Sequence, residues 1–505
     1  MIQYKTFELA FHASEPVASQ AEANLTATFV NGENRVAVRG FYAGDGVYKV
    51  RFLPRTTGRY TWRVTGVAEA TGEENCTYSP EYHGLVRTEG THFCFEDGTR
   101  FLPFGTTVYA FAHQKPELIA ETVETLKNSP FNKVRLCLFP KYYDFNRDDP
   151  ELYPFEKDAD GAVNVHRPCF AFWDHFERLL GQLERIGVQA DLILFHPYDK
   201  WGFSRLTRGQ YSAYLDYLLR RFAALPNVWW SLANEYELLN ALTADDWDYI
   251  ENFIDARDPY RHLLSCHNIL RFYDASHPRV THCSLQSGDV GKTAKLLWQY
   301  KKPVLFDECG YEGDIPYSWG NLSAFEMTNR FWEVCTRGGY CTHGETFWNP
   351  AEILWWSKGG ALRGKSTERI RFLKSLLESL PGYLEPWYPS GENVYKLRKN
   401  SEKKASDGKE DPVAELLGRV DDEDADKIFE ASLPCAGRCG NDAFLVYFAR
   451  QCARSSELRL PEDGEYRVEV IDVWEMTRRT VLTNAHGDVT VELPAKEGTA
   501  LLAWR

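Results

Sequence analysis

Two glutamates in this chain stand where short apolar runs stop. Residues 231–238 read SLANEYEL and follow Val228, Trp229 and Trp230, so Asn234 and Glu235 fall at the end of a run with the composition of a buried strand. A second run, Pro303 to Phe306, delivers Asp307 and Glu308 within PVLFDECG. A pair of carboxyl groups about 5–5.5 Å apart can cleave an acetal in two displacements: one, protonated, donates to the leaving oxygen while the other, ionised, attacks the anomeric carbon. Such chemistry needs environments that drive the two pKa values apart. Asp307 is a rival to its neighbour Glu308, because strand alternation sends adjacent side chains to opposite faces.

Carboxylates can face each other across a substrate only if a scaffold brings distant strand ends together. From about Gly90, apolar strand-like runs alternate with amphipathic helix-length segments. FLPFGTTVYAF, NKVRLCLFP, VQADLILFHP, VWWSLAN, LLSCHN, VTHCSLQ, PVLFDEC and GYCTHGETFW are the eight strand candidates. Helices are expected over Pro116 to Asn128, over Ala171 to Ile186 with Gly187 as its stop, and over Thr243 to Asp255, whose acidic first turn suits the helix dipole. Eight such units in about 290 residues match a (β/α)₈ barrel, in which the reacting groups come from the C-terminal ends of the strands. A doubly wound sheet would show a Gly-rich phosphate loop after strand one, and FGTTVYAF has none.

The remaining strand ends carry more polar and aromatic residues than a structural barrel needs: Arg135 on strand two, His196 after three, His267 after five, His282 and Gln286 on six, and His343, Glu345 and Trp348 at eight. Arg135 is expected to keep Glu308 ionised by charge and hydrogen bonding. Asn234 is expected to bond a sugar 2-hydroxyl, Trp348 to floor the innermost subsite, and Glu345 to accept from a sugar hydroxyl. His196, His267, Gln286 and His343 complete the candidate substrate-binding set.

Asn234-Glu235 after strand four and Glu308 after strand seven resemble the pattern of the retaining glycoside hydrolases built on (β/α)₈ barrels, the clan that includes family 5 cellulases and mannanases. Arg135, His196 and Trp348 match it as well. The resemblance implies that Glu235 is the acid/base and Glu308, rather than Asp307, the nucleophile, with retention of configuration at a β-glycosidic bond. In many relatives a Tyr or His from strand six touches the nucleophile; here that strand offers only His282 or Gln286.

The flanks look like those of bacterial members with an immunoglobulin-like domain before the barrel and a β domain after it. Residues 1–86 alternate apolar and polar side chains in bursts separated by turn signals such as Asn31-Gly32 and Asp45-Gly46, the pattern of a β-sandwich. Residues 87–388 form the expected barrel, and 389–505 a second antiparallel β-sandwich interrupted by a charged segment, 399–427, that cannot bury a core. The fold expectation is therefore a multidomain chain, a TIM barrel between two β domains.

A net charge of −14 with no long basic stretch disfavours nucleic acid as a partner. No window approaches the roughly 18 apolar residues of a membrane span, and MIQYKTFELAF does not read as a secretory signal, so a cytoplasmic location is expected. That location suggests short oligosaccharides or small glycosides as substrates and a pocket rather than a cleft, walled by Trp201, Trp319, Trp355 and Trp356. Twelve scattered cysteines fit reduced thiols better than disulfides, and Cys435 and Cys439 lack the partners of a zinc site. No cofactor and no metal are expected, while association into a homo-oligomer stays open. Two other readings compete: a metal-dependent barrel hydrolase drawing on the strand-end histidines, and a carbohydrate-binding protein with an inactive barrel.

Overall fold

The computed structural model describes residues 1–16, 18–389, 419 and 435–505. The charged segment 399–427, apart from Arg419, lies outside the described residues. At the centre eight parallel strands form one sheet: β1 (Phe104–Thr107), β2 (Lys133–Cys137), β3 (Gln189–Phe195), β4 (Val228–Ala233), β5 (Leu264–Ser265), β6 (Cys283–Gln286), β7 (Val304–Glu308) and β8 (Tyr340–His343). Their order is β5-β4-β3-β2-β1-β8-β7-β6. A parallel bridge from His267 to Ser284 joins β5 to β6, so the sheet curls into a barrel.

The expected helices form close to their predicted bounds. α1 (Pro116–Asn128) starts with proline in its first turn, where no backbone N–H is missed. α2 (Phe170–Arg185) buries Phe172, Trp173, Phe176, Leu179, Leu180 and Leu183 on one face, and Gly187 follows with φ +73. α3 (Arg208–Phe222) and α4 (Ala244–Arg257) each open with a capping box, Thr207 with Gln210 and Thr243 with Asp246. α5 (Thr293–Tyr300), α6 (Ala324–Thr336), the short α7 (Trp355–Lys358) and α8 (Ser366–Glu378) complete the ring. No helix follows β5; Glu237 instead pins the loop there by accepting from the backbone N–H groups of Ile269, Leu270 and Arg271.

Both ends of the chain are antiparallel β structure. In the N-terminal region, Phe7–His12, Val47–Phe52 and Phe41–Gly44 make one sheet. Asn34–Arg39, Leu25–Asn31, Gly58–Gly66 and Ala70–Cys76 make the other, and Phe29 stacks on Phe52 between them at 4.0 Å. This unit docks on α2 and α3: Arg51 pairs with Glu177, and Arg220 donates to the carbonyls of Ala23 and Gly40. Three short strands then cap the N-terminal mouth of the barrel, where Phe93 packs on Trp229, His282 and Tyr340. The C-terminal region pairs a six-stranded sheet with a two-stranded ribbon over its own core of Val446, Leu458, Val468, Val491 and Leu501. It leans on α6, where Tyr447 donates to Asn329 at 2.9 Å.

Inside the barrel four fully buried charges face one another. Lys133 lies 2.8 Å from Asp191 and 2.6 Å from Asp307, and Arg135 lies 3.2 Å from Asp307. Two cations against two anions leave no net charge in the low-dielectric interior, the condition under which burying them is tolerable.

Candidate active site

Glu235 is placed by the end of β4. Asn234 still donates its N–H to Phe195 O of β3 at 2.9 Å, and Tyr236 N donates to His267 O at 3.0 Å. Between these anchors Glu235 adopts φ 52 and ψ 58, the left-handed region. A side chain there costs roughly 1–2 kcal/mol, and such strain persists where surrounding bonds fix it, commonly at functional positions. Glu235 is buried, and Tyr198, three residues beyond β3, donates its hydroxyl to the Glu235 carboxylate. With the Gln286 amide turned so that its nitrogen faces acceptors, it donates to Glu235 Oε1 at 3.2 Å.

Glu308 ends β7. Opposite it the register against β6 slips, with Phe306 facing Leu285 but Glu308 facing Gln286. This bulge carries one extra residue and re-aims the strand end. Asp307 consequently turns into the barrel, where Ser284 Oγ donates at 2.6 Å and Thr342 Oγ1 at 2.8 Å, while Glu308 reaches the mouth at 9% exposure. Glu308 Oε2 accepts from Tyr109 Oη at 2.8 Å, and the same hydroxyl lies 2.9 Å from Asn234 Oδ1. One phenol proton serves one of these acceptors at a time. Asn234 Oδ1 is also reached by Arg135 Nη2 at 3.4 Å, so the Tyr109 proton is free to turn to Glu308.

Burial, then the charge of Glu235, pushes the Glu308 carboxyl up to about 7, against hydrogen bonds from Tyr109 and Tyr311 and the charge of Lys141. The mouth is lined by a separate aromatic cluster of Tyr109, Tyr311 and Trp356 flanked by Tyr143 and Trp319. Burial raises the Tyr198 hydroxyl, and Glu235 raises it further, so it stays a proton donor throughout the neutral range.

Several expectations need correction. Arg135 is wholly buried and its charge goes to Asp307 and Asp191; it holds Asn234 and Ser284 rather than pairing with Glu308. Inward residues low on a barrel strand meet other strands, not the substrate. His343 points outward, its ring stacked on Phe131 at 4.6 Å and Nδ1 3.3 Å from Thr106 Oγ1. Glu345 is likewise a loop clamp, its oxygens accepting from Arg363 N at 2.7 Å and Gly364 N at 2.9 Å ahead of α8. Trp348, expected to floor the innermost subsite, is 55% exposed, and it is the buried Trp356 that packs against Tyr109 and Tyr311.

His196 is buried with Nε2 on Phe139 O at 3.1 Å. His267 is fully enclosed, and burial keeps it neutral well below its ordinary range. Gln286 pairs with Glu308 along the backbone, while its side-chain amide turns to Glu235. The residues not anticipated as partners of the pair are Tyr109, Tyr198, Tyr311 and Lys141. Their one sequence signal is position, each lying two to four residues past a strand end.

Among the described residues, two groups of side chains have metal-ligand spacing, Asp248 with Glu251 and His277, and Glu312 with His343 and Glu345; neither contains Glu235 or Glu308. No described helix is long and apolar enough to cross a membrane.

Solved structures described as glycoside hydrolases share this (β/α)₈ barrel with β regions on both sides. Residues 87–383 match the family model described as "Apiosidase-like, catalytic domain", more than half of the chain, and the chain belongs to that family. Residues 1–66 and 432–503 match two domains of unknown function, DUF5060 and DUF5605. A Bacteroides vulgatus ATCC 8482 protein assigned provisionally as a glycoside hydrolase is 31% identical over 100% of this chain and 99% of its own, with a TM-score of 0.87. A glycoside hydrolase family 5 structure from the same organism is 14% identical over 85% of this chain and 95% of its own, TM-score 0.59, and shares the fold. No curated protein matches the chain.

Proposed function

We propose that this glycoside hydrolase-like chain cleaves β-glycosidic bonds of oligosaccharides or small glycosides by double displacement. Glu308 attacks the anomeric carbon while Glu235 protonates the leaving oxygen. Glu235, now a carboxylate, then takes a proton from water, and that water hydrolyses the glycosyl ester on Glu308, restoring the starting configuration. The observation that carries this reading is the pair itself: two buried glutamates at the ends of β4 and β7, electrostatically coupled, each bonded to a tyrosine hydroxyl.

Burial and the charge of Glu235 raise the affinity of Glu308 for a proton. Catalysis requires that proton on Glu235 when sugar is bound. Turning Tyr109 Oη toward Glu308 favours the anion there, and a glycosidic oxygen against Glu235 gives its proton an acceptor. Asn234, already held by Arg135, is the candidate contact for the sugar 2-hydroxyl.

The test is a panel of nitrophenyl and dinitrophenyl β-glycosides, including the apioside for which the family is described, with wild type, Glu235→Ala and Glu308→Ala. Retention is expected in the first-formed anomer by proton NMR. Glu235→Ala should accept azide to give the β-glycosyl azide, and Glu308→Ala should be inactive. An inverted first product, or undiminished turnover by Glu308→Ala, refutes the assignment. Sugar binding without hydrolysis of any glycoside would make the chain a binding protein, and loss of activity on chelation would point to a metal-dependent hydrolase.

A further inference from the structure

Lys141 follows β2 by four residues and is buried, yet its ammonium has aromatic faces for neighbours. Nζ lies 3.7 Å from the Tyr109 ring centre, 4.4 Å from Tyr198, 4.9 Å from Trp356 and 5.5 Å from Tyr143. Among the described residues, no carboxylate is within ion-pairing distance of it. A desolvated ammonium is costly, and cation–π contacts of roughly 0.5–2 kcal/mol each offset part of that cost. Two of the four rings are those whose hydroxyls hold the pair: Tyr109 bonds Glu308, and Tyr198 bonds Glu235. The cage therefore sets the ammonium beside both candidate reacting groups; burial lowers its pKa, and the charges of Glu235 and Glu308 oppose that shift.

A retaining pair works with one proton between two carboxyls, a net charge of −1. The other charges near Lys141 do not balance it. Arg135 is spent on Asp307 and Asp191 inside the barrel. His196 after β3 and His267 after β5 are kept neutral by burial. The Cys137 thiol on β2, pushed up to about 12 by burial, stays neutral, as do the Tyr109, Tyr143 and Tyr198 hydroxyls, all raised.

We propose that Lys141 is a positioning residue for the reaction, the caged counter-cation that lets the Glu235–Glu308 pair carry its single negative charge in a buried site. This rests on the assignment of that pair above. It acts through the two carboxyls, not through a hydroxyl of the substrate.

The test uses the full chain, a dinitrophenyl glycoside that wild type hydrolyses, and Lys141→Met, Lys141→Gln and Lys141→Arg. The dinitrophenyl leaving group needs no proton, so the acid limb of kcat/KM reports ionisation of Glu308. Removing an opposite charge at short range should move that limb upward by on the order of one pH unit. Activity at pH 5–6 then falls about tenfold, with KM little changed and activity recovering toward wild type at higher pH. Lys141→Arg should keep the limb in place.

An equal loss at every pH in the neutral variants overturns the proposal and makes Lys141 a packing residue. So does failure of both neutral variants to fold, by circular dichroism, while Lys141→Arg folds. Glu308→Ala run in parallel separates the two claims. If it stays active the pair itself is misassigned; if it is inactive while the limb stays fixed in the Lys141 variants, only the role of Lys141 is wrong.

Discussion

Replacing Glu308 by Gln should abolish turnover and at the same time stabilise the protein, increasingly so as pH rises. The carboxyl is buried, and burial with the nearby charge of Glu235 lifts it from 4.5 to about 7. A raised carboxyl means the folded chain holds a proton that the unfolded chain has released. Between pH 4.5 and 7 the folded state binds more protons, so wild-type stability falls as pH rises and levels off above about 7. At 1.36 kcal/mol per unit, the cost above pH 7 is about 3 kcal/mol. A neutral amide escapes it, and its N–H can donate to Tyr109 Oη, which lies 2.8 Å from the carboxylate it replaces. For a barrel of roughly 300 residues with an unfolding entropy of about 2.1 cal/mol/K per residue, 3 kcal/mol corresponds to about 5 °C in Tm. Thermal unfolding of wild type and Glu308→Gln should coincide near pH 4.5, then separate to that extent by pH 8. A gap that is constant across this range would refute the electrostatic account of the site.

Other expectations follow from single contacts. Tyr109→Phe removes the hydroxyl that Glu308 accepts from, and should lower kcat about 10- to 100-fold, measured with the same chromogenic substrate, while shifting its acid limb upward. Asp307→Asn leaves Lys133 and Arg135 with one anion between them in the barrel, and should cost about 3–5 kcal/mol in a denaturant titration. Gly364→Ala would put a Cβ 2.4 Å from Glu312 Oε2 and 2.6 Å from Glu345 Oε1, so a loss of about 1–3 kcal/mol is expected in the same titration.

Much of this protein is written locally. Thr243 with Asp246 caps α4, and the apolar stripe of α2 repeats at helical spacing; both are read within a few residues of chain because backbone hydrogen bonding and burial of one face are local or nearly local conditions. The strand count and the positions of Glu235 and Glu308 at strand ends are legible for the same reason. What each strand end meets is not. His343 and Glu345 sit at a strand end as plainly as Glu235 does, yet one packs outward on Phe131 and the other clamps the turn before α8. Asp307 and Glu308 are adjacent, and only the slip in pairing with β6 sends the first into the barrel and the second to its mouth. Tyr109, Tyr198 and Lys141, from the exits of three strands, meet around the pair only when the sheet closes.

The sequence by itself determined the alternation of elements, the barrel they build and the two carboxyls it offers, because periodicity and chain order encode them. The tertiary structure decided which groups share the mouth, which charges cancel beneath it and how strongly Glu308 holds its proton. Those depend on distances between residues far apart in the chain and on water excluded by folding, and neither is a property of any one segment.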